Sequence, residues 1–389
     1  MDPRSTVDAM LRPDLRGRTA YGAPQLDVPV ALNTNENSYA VPPVVVAAIT
    51  RAVSEVAAGL NRYPDREFTP LREGLAAYLS RSGTRVAAEQ VWAGNGSNEV
   101  LLHLLQAFGG PGRTALGFTP AYSMHPIITT TTGTTWVDGM RGATGGGAFD
   151  LDPASAVEQV RRHRPDVVFL CSPNNPTGTA LTLDVVEEVH DAADGALVVV
   201  DEAYAEFARL GTPSALSLLA GRPRLVVTRT MSKAFALAGG RLGYLAADPA
   251  LVDALRLVRM PYHLSTQTQA VALAALAHAD LMLETVGVIK EQRDRIVAGL
   301  AELGLEPVAS DANFVLFGGL ADAAQTWRDL LDRGVLVRDV GIPHYLRVTA
   351  GTPAETDAFL TAMAAVIRDL DLGHPGAVPQ TTPAQEPSA

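Results

Sequence analysis

The sequence predicts an α/β fold: a three-layer α/β/α domain around a mostly parallel sheet, followed by a smaller α+β domain. Two observations predict it. From Pro42, short β-branched runs bounded by Gly, Pro or Asp alternate with stretches of helical periodicity, as buried parallel strands joined by helices do. After Pro261 that rhythm gives way to two long helical patterns, then a strand, a helix and two more strands. A chain of 389 residues has room for two domains at roughly 100–200 residues each. With 47% hydrophobic and 19% charged residues the composition is globular.

Residues 1–40 read as an irregular N-terminal arm, punctuated by Pro, Gly and Asn. The large domain, 41–260, opens with helical patterns over Val44–Leu60, Thr69–Leu79 and Asn98–Phe108. "VWA" is a strand, and "TALGF", "DVVFLC", "ALVVVD", "RLVVT" and "GYLAA" suit fully buried parallel strands. The small domain, 261–372, holds helices over Ser265–His278 and Leu281–Leu303, the strand "NFVLF" and a helix over Ala321–Arg333. The strands "GVLVR" and "HYLRVT" and a helix over Pro353–Leu370 complete it. The tail, 373–389, is rich in Pro, Thr, Ala and Gln and is expected to be disordered.

Composition excludes several functions. A net charge of −11 argues against nucleic acid, which needs a basic face. The basic run Arg161, Arg162 and Arg164 reads as the solvated end of a helix. Cys171, the only cysteine, permits no internal disulfide and reads as a buried strand-end thiol. The N-terminus lacks an apolar signal region, and the most apolar stretch, "AVALAALAHADL", is broken by His278 and Asp280. A cytoplasmic protein is therefore expected. No metal site is expected, since the eight histidines are scattered and no H-E-x-x-H or paired-cysteine spacing occurs.

Open α/β sheets bind ligands at the carboxyl ends of their strands. Five strand ends here carry polar or small residues: "GNGSNE" after "VWA", "TPAYS" after "TALGF", "SPNNPTG" after "DVVFLC", "DEAY" closing the next strand, and "RTMSK" after "RLVVT". Each has a plain structural explanation: Ser97 and Asn98 are ordinary capping residues, and Asn and Pro dominate turns. "LVVVDEAY" also looks like the Walker-B strand of an ATPase, but the required G-x-x-x-x-G-K-[ST] loop is missing.

A lysine separates the readings. Of 31 basic residues, 29 are arginine and two are lysine, Lys233 and Lys290. Arginine supplies positive charge but neither a neutral amine nor a proton shuttle. Lys233 sits in the apolar, glycine-rich "TRTMSKAFALAGGRLGY", where burial and a nearby cation such as Arg241 would prepare its amine for Schiff-base chemistry. Lys290, in "VIKEQRDR", reads as part of a solvated charged face.

"SPNNPTG", "DEAY" and "SKAFALAGGRLG", in that order and spacing, resemble the fold-type I, pyridoxal-phosphate-dependent aminotransferases, whose fold is that of aspartate aminotransferase. The resemblance runs from about Leu15 to Leu370. The class II branch of histidinol-phosphate aminotransferases is the most similar. "DLRGRTAYGAPQLDVPVALNTNEN", "RYPD", "GNGSNE", "AYSMHP", "MSKAFALAGGRLGY", "PYHLS" and "LVRDVG…YLRVTAGT" all fit it. Ser38 departs from it, standing where that branch usually has proline, and the loop between "LVRD" and "YLR" is compact.

The resemblance implies pyridoxal 5′-phosphate as cofactor, held covalently by Lys233, whose amine also moves the proton at the substrate's Cα. It implies Asp201 on the pyridine nitrogen, Asn174 and Tyr204 on the ring's phenolic oxygen, and Tyr122 stacked on the ring. Ser97, Asn98, Ser232 and Arg241 would bind the cofactor phosphate. Tyr63 would reach the phosphate in a neighbouring subunit, which requires a homodimer with shared sites. Arg338, Arg347, Tyr21 and Asn35 would bind substrate, the arginines meeting phosphate or carboxylate groups. Without the family, Tyr63 reads as a surface aromatic and the two arginines as strand-edge charges. The implied reaction is a ping-pong transamination between histidinol phosphate or imidazole-acetol phosphate and glutamate or 2-oxoglutarate, a step of histidine biosynthesis. An aromatic amino acid aminotransferase on the same scaffold is the nearest rival, and a phosphate-recognising decarboxylase is a further one. A regulator without turnover is not expected: it would carry an added DNA-binding module, and here the arm before the fold is short and the chain acidic.

Overall fold

A computed structural model describes residues 3–142 and 149–373, so the expected tail, from 374 on, lies outside the described residues. In chain order the strands are β1 (Val30–Ala31), β2 (Val91–Gly94), β3 (Thr114–Thr119), β4 (Thr135–Met140), β5 (Val167–Cys171), β6 (Leu197–Asp201), β7 (Leu225–Thr230), β8 (Gly243–Ala246), β9 (Glu306–Pro307), β10 (Phe314–Gly318), β11 (Val335–Leu336), β12 (Arg338–Asp339) and β13 (Leu346–Thr349). The helices are α1 (Pro3–Met10), α2 (Pro43–Ala57), α3 (Thr69–Ser80), α4 (Ser97–Phe108), α5 (Met124–Thr131), α6 (Pro153–His163), α7 (Leu183–Ala192), α8 (Pro249–Leu255), α9 (Thr266–Ala277), α10 (Ala279–Glu302), α11 (Ala323–Asp332) and α12 (Pro353–Gly373).

Seven strands form one sheet in the order β2-β8-β7-β6-β5-β3-β4. Strands β3 to β7 pair in parallel. Their centres are entirely buried, as the unbroken β-branched runs require: all five residues of β5 and all five of β6 are enclosed. One parallel assignment fails. β8, the expected parallel strand "GYLAA", pairs antiparallel with both β7 and β2. A buried apolar run has the same composition in either direction, and here a loop without a crossover helix, 231–242, joins β7 to β8, the Met231 N–H donating to the Leu242 carbonyl at its base. The edge strand β4 escaped the sequence reading. Its exposed Thr135, Asp138 and Met140 mask the apolar pattern.

Helix starts follow their caps. Asp152, Asp248, Ser265 and Asp322 each accept a backbone N–H of the first turn from α6, α8, α9 and α11. Proline occupies the first turn of α2, α6 and α8. The N-terminal arm is less irregular than expected, containing α1 and β1. "GVLVR" divides in two. β11 pairs in parallel with β1 of the arm, while β12 joins a four-stranded antiparallel sheet in the order β12-β13-β10-β9.

Two large apolar cores and one small cluster, Phe149, Leu316 and Tyr345, result among the described residues. The first surrounds the large sheet; the second gathers Phe314, Phe317, Phe359, Ile289, Ile296 and Leu300 beneath the small one. The second core also takes in Leu32 of the arm and Tyr204 and Ala234 from the strand ends of the large sheet. The strand ends and the small sheet are therefore packed as neighbours, and the cavity lies between them.

Candidate active site

A cavity of about 570 Å³ opens where the carboxyl ends of the parallel strands face β12 and β13. Its lining includes Tyr21, Asn35, Ser97, Asn98, Tyr122, Asp201, Tyr204, Ser232, Lys233, Arg241, Arg338 and Arg347. Of the sequence-derived site residues, only Asn174 and Tyr63 lie outside it.

Lys233 follows β7 and projects its amine into the cavity, where Nζ donates to the Thr34 carbonyl at 3.1 Å. Its pKa is lowered to about 8, first by burial, then by the positive charges of Arg347 and Arg241, with Glu36 opposing. The cation expected from sequence, Arg241, is present, but Arg347 acts more strongly. This amine can lose its proton near neutral pH.

One end of the cavity is built for an anion. α4 begins at Ser97 after Gly96, whose φ of +84° favours glycine. A Cβ on Gly96 would collide with the Arg241 guanidinium, and one on Gly243 with the Ser97 backbone nitrogen. The two glycines thus let β8, Arg241 and the first turn of α4 crowd together. Ser232 Oγ lies 3.0 Å from Thr230 Oγ1, and Ser232 lines the same cavity as Ser97 and Arg241. Backbone N–H groups, a hydroxyl and a guanidinium therefore converge at a helix N-terminus.

The other end is built for a cationic ring nitrogen. Asp201 closes β6, and its carboxylate is buried and held from both sides. His125 Nε2 lies 3.0 Å from Oδ2, and Thr228 Oγ1 donates to Oδ1 at 3.1 Å. His125 is fixed in turn by stacking on Phe169, 4.8 Å between ring centres. The next residue, Glu202, turns to the opposite side and pairs with Arg229 at 2.7 Å, as strand alternation demands. His125 and Thr228 were not singled out from sequence, although "AYSMHP" places His125 one helical turn from Tyr122. The Tyr122 phenol donates to Asn98 Oδ1 at 3.2 Å, and burial raises its pKa.

Arg347 on β13 is 7% exposed. Nη1 donates to Asn175 Oδ1 at 2.5 Å and Nη2 to the Asn33 carbonyl at 2.9 Å, while Nε is buried without a partner. Among the described residues no carboxylate pairs with it. Burial lowers its pKa to about 10, so it stays charged at neutral pH. Arg338, half-buried on β12, stands 6.0 Å from the centre of the Tyr21 ring. Two cationic forks thus face the same space, one enclosed and one partly solvated.

Asn174 requires correction. Its side chain turns away from the cavity, with Nδ2 donating to Thr177 Oγ1 at 2.8 Å and to the Pro120 carbonyl at 3.0 Å. Its neighbour Asn175 faces the cavity, and Nδ2 lies 3.4 Å from the Tyr204 oxygen. The tandem asparagines of "SPNNPTG" do not reveal from sequence which one turns inward. Tyr63 is 80% exposed and stacks on Tyr262, 4.5 Å between ring centres.

Lys290 is not on a solvated face. It is half-buried and donates to the Ala208 carbonyl at 2.7 Å, and burial lowers its pKa. Cys171 is buried as expected, its thiol pushed up to about 12 by burial first and then by the Asp201 charge. At that value it is no nucleophile.

An anion cradle at one end, a braced carboxylate at the other and a deprotonatable amine between them fit a phosphorylated pyridine aldehyde. The donor set that would hold one is Ser97, Asn98, Ser232 and Arg241 at the phosphate, Asp201 at the ring nitrogen and Lys233 at the aldehyde.

Comparison with known proteins agrees. The family "Aminotransferase class I and II" matches residues 28–363. The chain is 61% identical to the histidinol-phosphate aminotransferase of Paenarthrobacter aurescens over 92% of this chain and 95% of that one. It is 60% identical to that of Thermobifida fusca over 92% and 96%. The crystal structure of histidinol-phosphate aminotransferase from Sinorhizobium meliloti, in complex with pyridoxal-5′-phosphate, superposes with a TM-score of 0.76 at 26% identity, covering 88% of this chain and 92% of that one.

The site predicts its own titration. In the cofactor-free chain, an amine-specific reagent should modify Lys233 with a midpoint near pH 8. Arg347→Gln removes a neighbouring positive charge, so the midpoint should move upward. Peptide mapping of the labelled chain checks both, and an unmoved midpoint would show that Arg347 does not govern the amine.

Proposed function

The chain belongs to the class I and II aminotransferases, and we propose that it carries out the reaction its named relatives carry. That reaction moves an amino group between histidinol phosphate and 2-oxoglutarate by two half-reactions through one cofactor site. The observation that carries this reading is Arg347: a buried guanidinium with no carboxylate partner among the described residues, in the same cavity as the lysine amine. An anionic substrate group supplies the missing counter-charge. Arg338 gives a second contact, suited to a substrate phosphate or to glutamate's distal carboxylate.

Bound in this cavity, pyridoxal 5′-phosphate supplies an aldehyde for the amine and a pyridine ring that accepts the electron pair released at Cα. The chain's residues do the rest. Asp201, braced by His125 and Thr228, would hold a proton on the ring nitrogen. Tyr204 and Asn175 would address the phenolic oxygen, Asn175 taking the place expected of Asn174. Tyr122 would cover a ring face. Lys233, as a neutral amine, would take the proton from the substrate's Cα and deliver it to the carbon of the cofactor's aldehyde group. Tyr21, lining the mouth, helps exclude water. As a biosynthetic enzyme, the protein works in the cytoplasm on this reading.

Tyr63 contributes nothing to its own cavity. With Tyr262, Met260 (73% exposed) and Leu257 (86% exposed) it contributes exposed apolar surface that a second copy could cover, and the family resemblance puts Tyr63 at that copy's cofactor phosphate. We assign the working unit as a homodimer on that basis.

A single-turnover absorbance scan tests the reaction. Mixed separately with histidinol phosphate, glutamate and phenylalanine, the holoenzyme should convert quickly with the first two and slowly with the third. Lys233→Ala should convert none. Equal speed with phenylalanine would move the substrate class to aromatic amino acids.

The two arginines should separate by burial. Stranding a buried charge costs about 3–5 kcal/mol, so Arg347→Gln should raise KM for histidinol phosphate a hundredfold or more. Half-buried Arg338→Gln should raise it only about tenfold, because water screens its contact. Steady-state KM values compare them, and equal effects would contradict the burial argument.

The dimer assignment is checked by dilution. Specific activity should fall as sedimentation shows the dimer dissociating, and Tyr63→Ala should weaken cofactor retention. A fully active monomer would refute it.

A further inference from the structure

We propose that Thr349 is a positioning residue which, through Asn35, directs the proton of the Tyr204 phenol into the cavity. The hydrogen-bond inventory leads there. Thr349, on β13 two residues beyond Arg347, is 2% exposed. Its Oγ1 accepts the Asn35 backbone N–H at 3.0 Å and lies 3.1 Å from Asn35 Oδ1. A hydroxyl has one proton, and an amide oxygen can only accept. The Thr349 proton therefore goes to Oδ1. The reverse amide orientation would leave that buried proton without an acceptor among the described residues, a costly state.

Fixing Oδ1 fixes the other half of the amide. Asn35 Nδ2 then faces Tyr204 and donates to its oxygen at 3.0 Å. Asn35 has little freedom to respond otherwise. It is 1% exposed, and its carbonyl accepts from Asn313 Nδ2 at 3.1 Å. Its side chain gives one N–H to Tyr204 and takes one hydroxyl proton from Thr349, so the residue expected from sequence to meet substrate also has a positioning role.

Asn175 is locked in the same way from the other side. Arg347 holds its Oδ1 at 2.5 Å, which turns Nδ2 toward the Tyr204 oxygen, 3.4 Å away. Two amide N–H groups thus converge on one phenolic oxygen. That oxygen acts as acceptor toward the protein, and its own proton is left for a group inside the cavity. Thr349 and Arg347, two residues apart on one strand face, set the polarity of the phenol together.

The proposal rests on the cofactor reading above, since the proton has a use only if an anionic oxygen lies in the cavity. Thr349→Val keeps the shape and removes the hydroxyl, freeing Asn35 to flip and to take the phenol's proton. In the holoenzyme, kcat should fall about 5- to 10-fold, the effect of one misdirected hydrogen bond, with KM for the amine donor nearly unchanged. The pH midpoint of the bound cofactor's visible band should rise by about 0.5–1 unit, because a donated proton favours the anionic oxygen. Thr349→Ser, which keeps the hydroxyl, should restore both.

A second readout needs no cofactor. In urea unfolding of the cofactor-free chain, the midpoint shift caused by Thr349→Val should shrink by about half or more in a Tyr204→Phe background, since coupled residues are non-additive. Additive shifts would overturn the proposal. So would a Thr349→Val holoenzyme with wild-type kcat and band midpoint. A coupled cycle in a chain that binds no pyridoxal phosphate would instead sink the cofactor reading and leave the hydrogen-bond assignment standing.

Discussion

The chemistry at this site depends on one positive charge that is buried without a carboxylate partner among the described residues. Arg347 is held by an amide oxygen and a backbone carbonyl, acceptors that carry no net charge. An aromatic ring adds modest support, Phe314 lying 5.1 Å from its guanidinium carbon. The arrangement keeps the fork oriented while leaving its charge unneutralised. Two consequences follow from that single fact. The cavity attracts anions, and the amine of Lys233 is driven toward its neutral form. An anion that docks on Arg347 weakens the second effect, making the amine more basic when it has a proton to take. Binding and basicity are linked through one charge, without any movement of the backbone.

That charge reaches the strand ends only because the two cores share residues. Tyr204 and Ala234 belong to loops that follow large-sheet strands, yet both are packed into the core beneath the small sheet. The segment Asn33–Asn37 closes the junction. Its carbonyls take Arg347 and Lys233, its Asn35 side chain takes Tyr204, and Asn37 reaches the Ala234 carbonyl and Thr285. A stretch that looks like an irregular arm in sequence is thus the part that touches nearly every reacting group. Asn35 adopts φ of +55°, a conformation asparagine tolerates better than most residues, which explains why this type suits the position.

Features written in local composition were legible in the sequence. The buried strands β5, β6 and β7, the helix starting after "GNGSNE" and the amine donor all announce themselves by apolar runs, glycine spacing or residue rarity. Features set by direction or by partners were not. β8 reads like its parallel neighbours because burial, not polarity of the chain, shapes its composition. "GVLVR" reads as one strand, although its halves serve different sheets. Asn174 and Asn175 are chemically identical, and only the fold of the turn selects between them. Thr349 and His125 act through residues distant in the chain, from Thr349 to Asn35 and from His125 to Asp201, and no local pattern signals such pairs.

The two lysines sharpen the same lesson. A chain that uses arginine almost everywhere keeps lysine where arginine fails, and for Lys233 the reason is the neutral amine. Lys290 was expected to need no reason. Its environment supplies one: a single carbonyl, Ala208, approached at 2.7 Å in a half-buried setting. A compact ammonium meets that carbonyl as a point donor, with the Asp294 and Asp311 charges near it. The neighbouring Arg293 makes the contrast. It is 1% exposed and spreads its donors over the Phe207 and Ala312 carbonyls and the Asp294 carboxylate. Rarity of lysine therefore marks two physical situations, a reactive amine and a point donor. Each nitrogen has one carbonyl acceptor, Thr34 or Ala208, and what tells them apart is the surroundings: Lys233 shares its cavity with Arg241 and Arg347, while Lys290 lines a groove with Glu291 and Asp294.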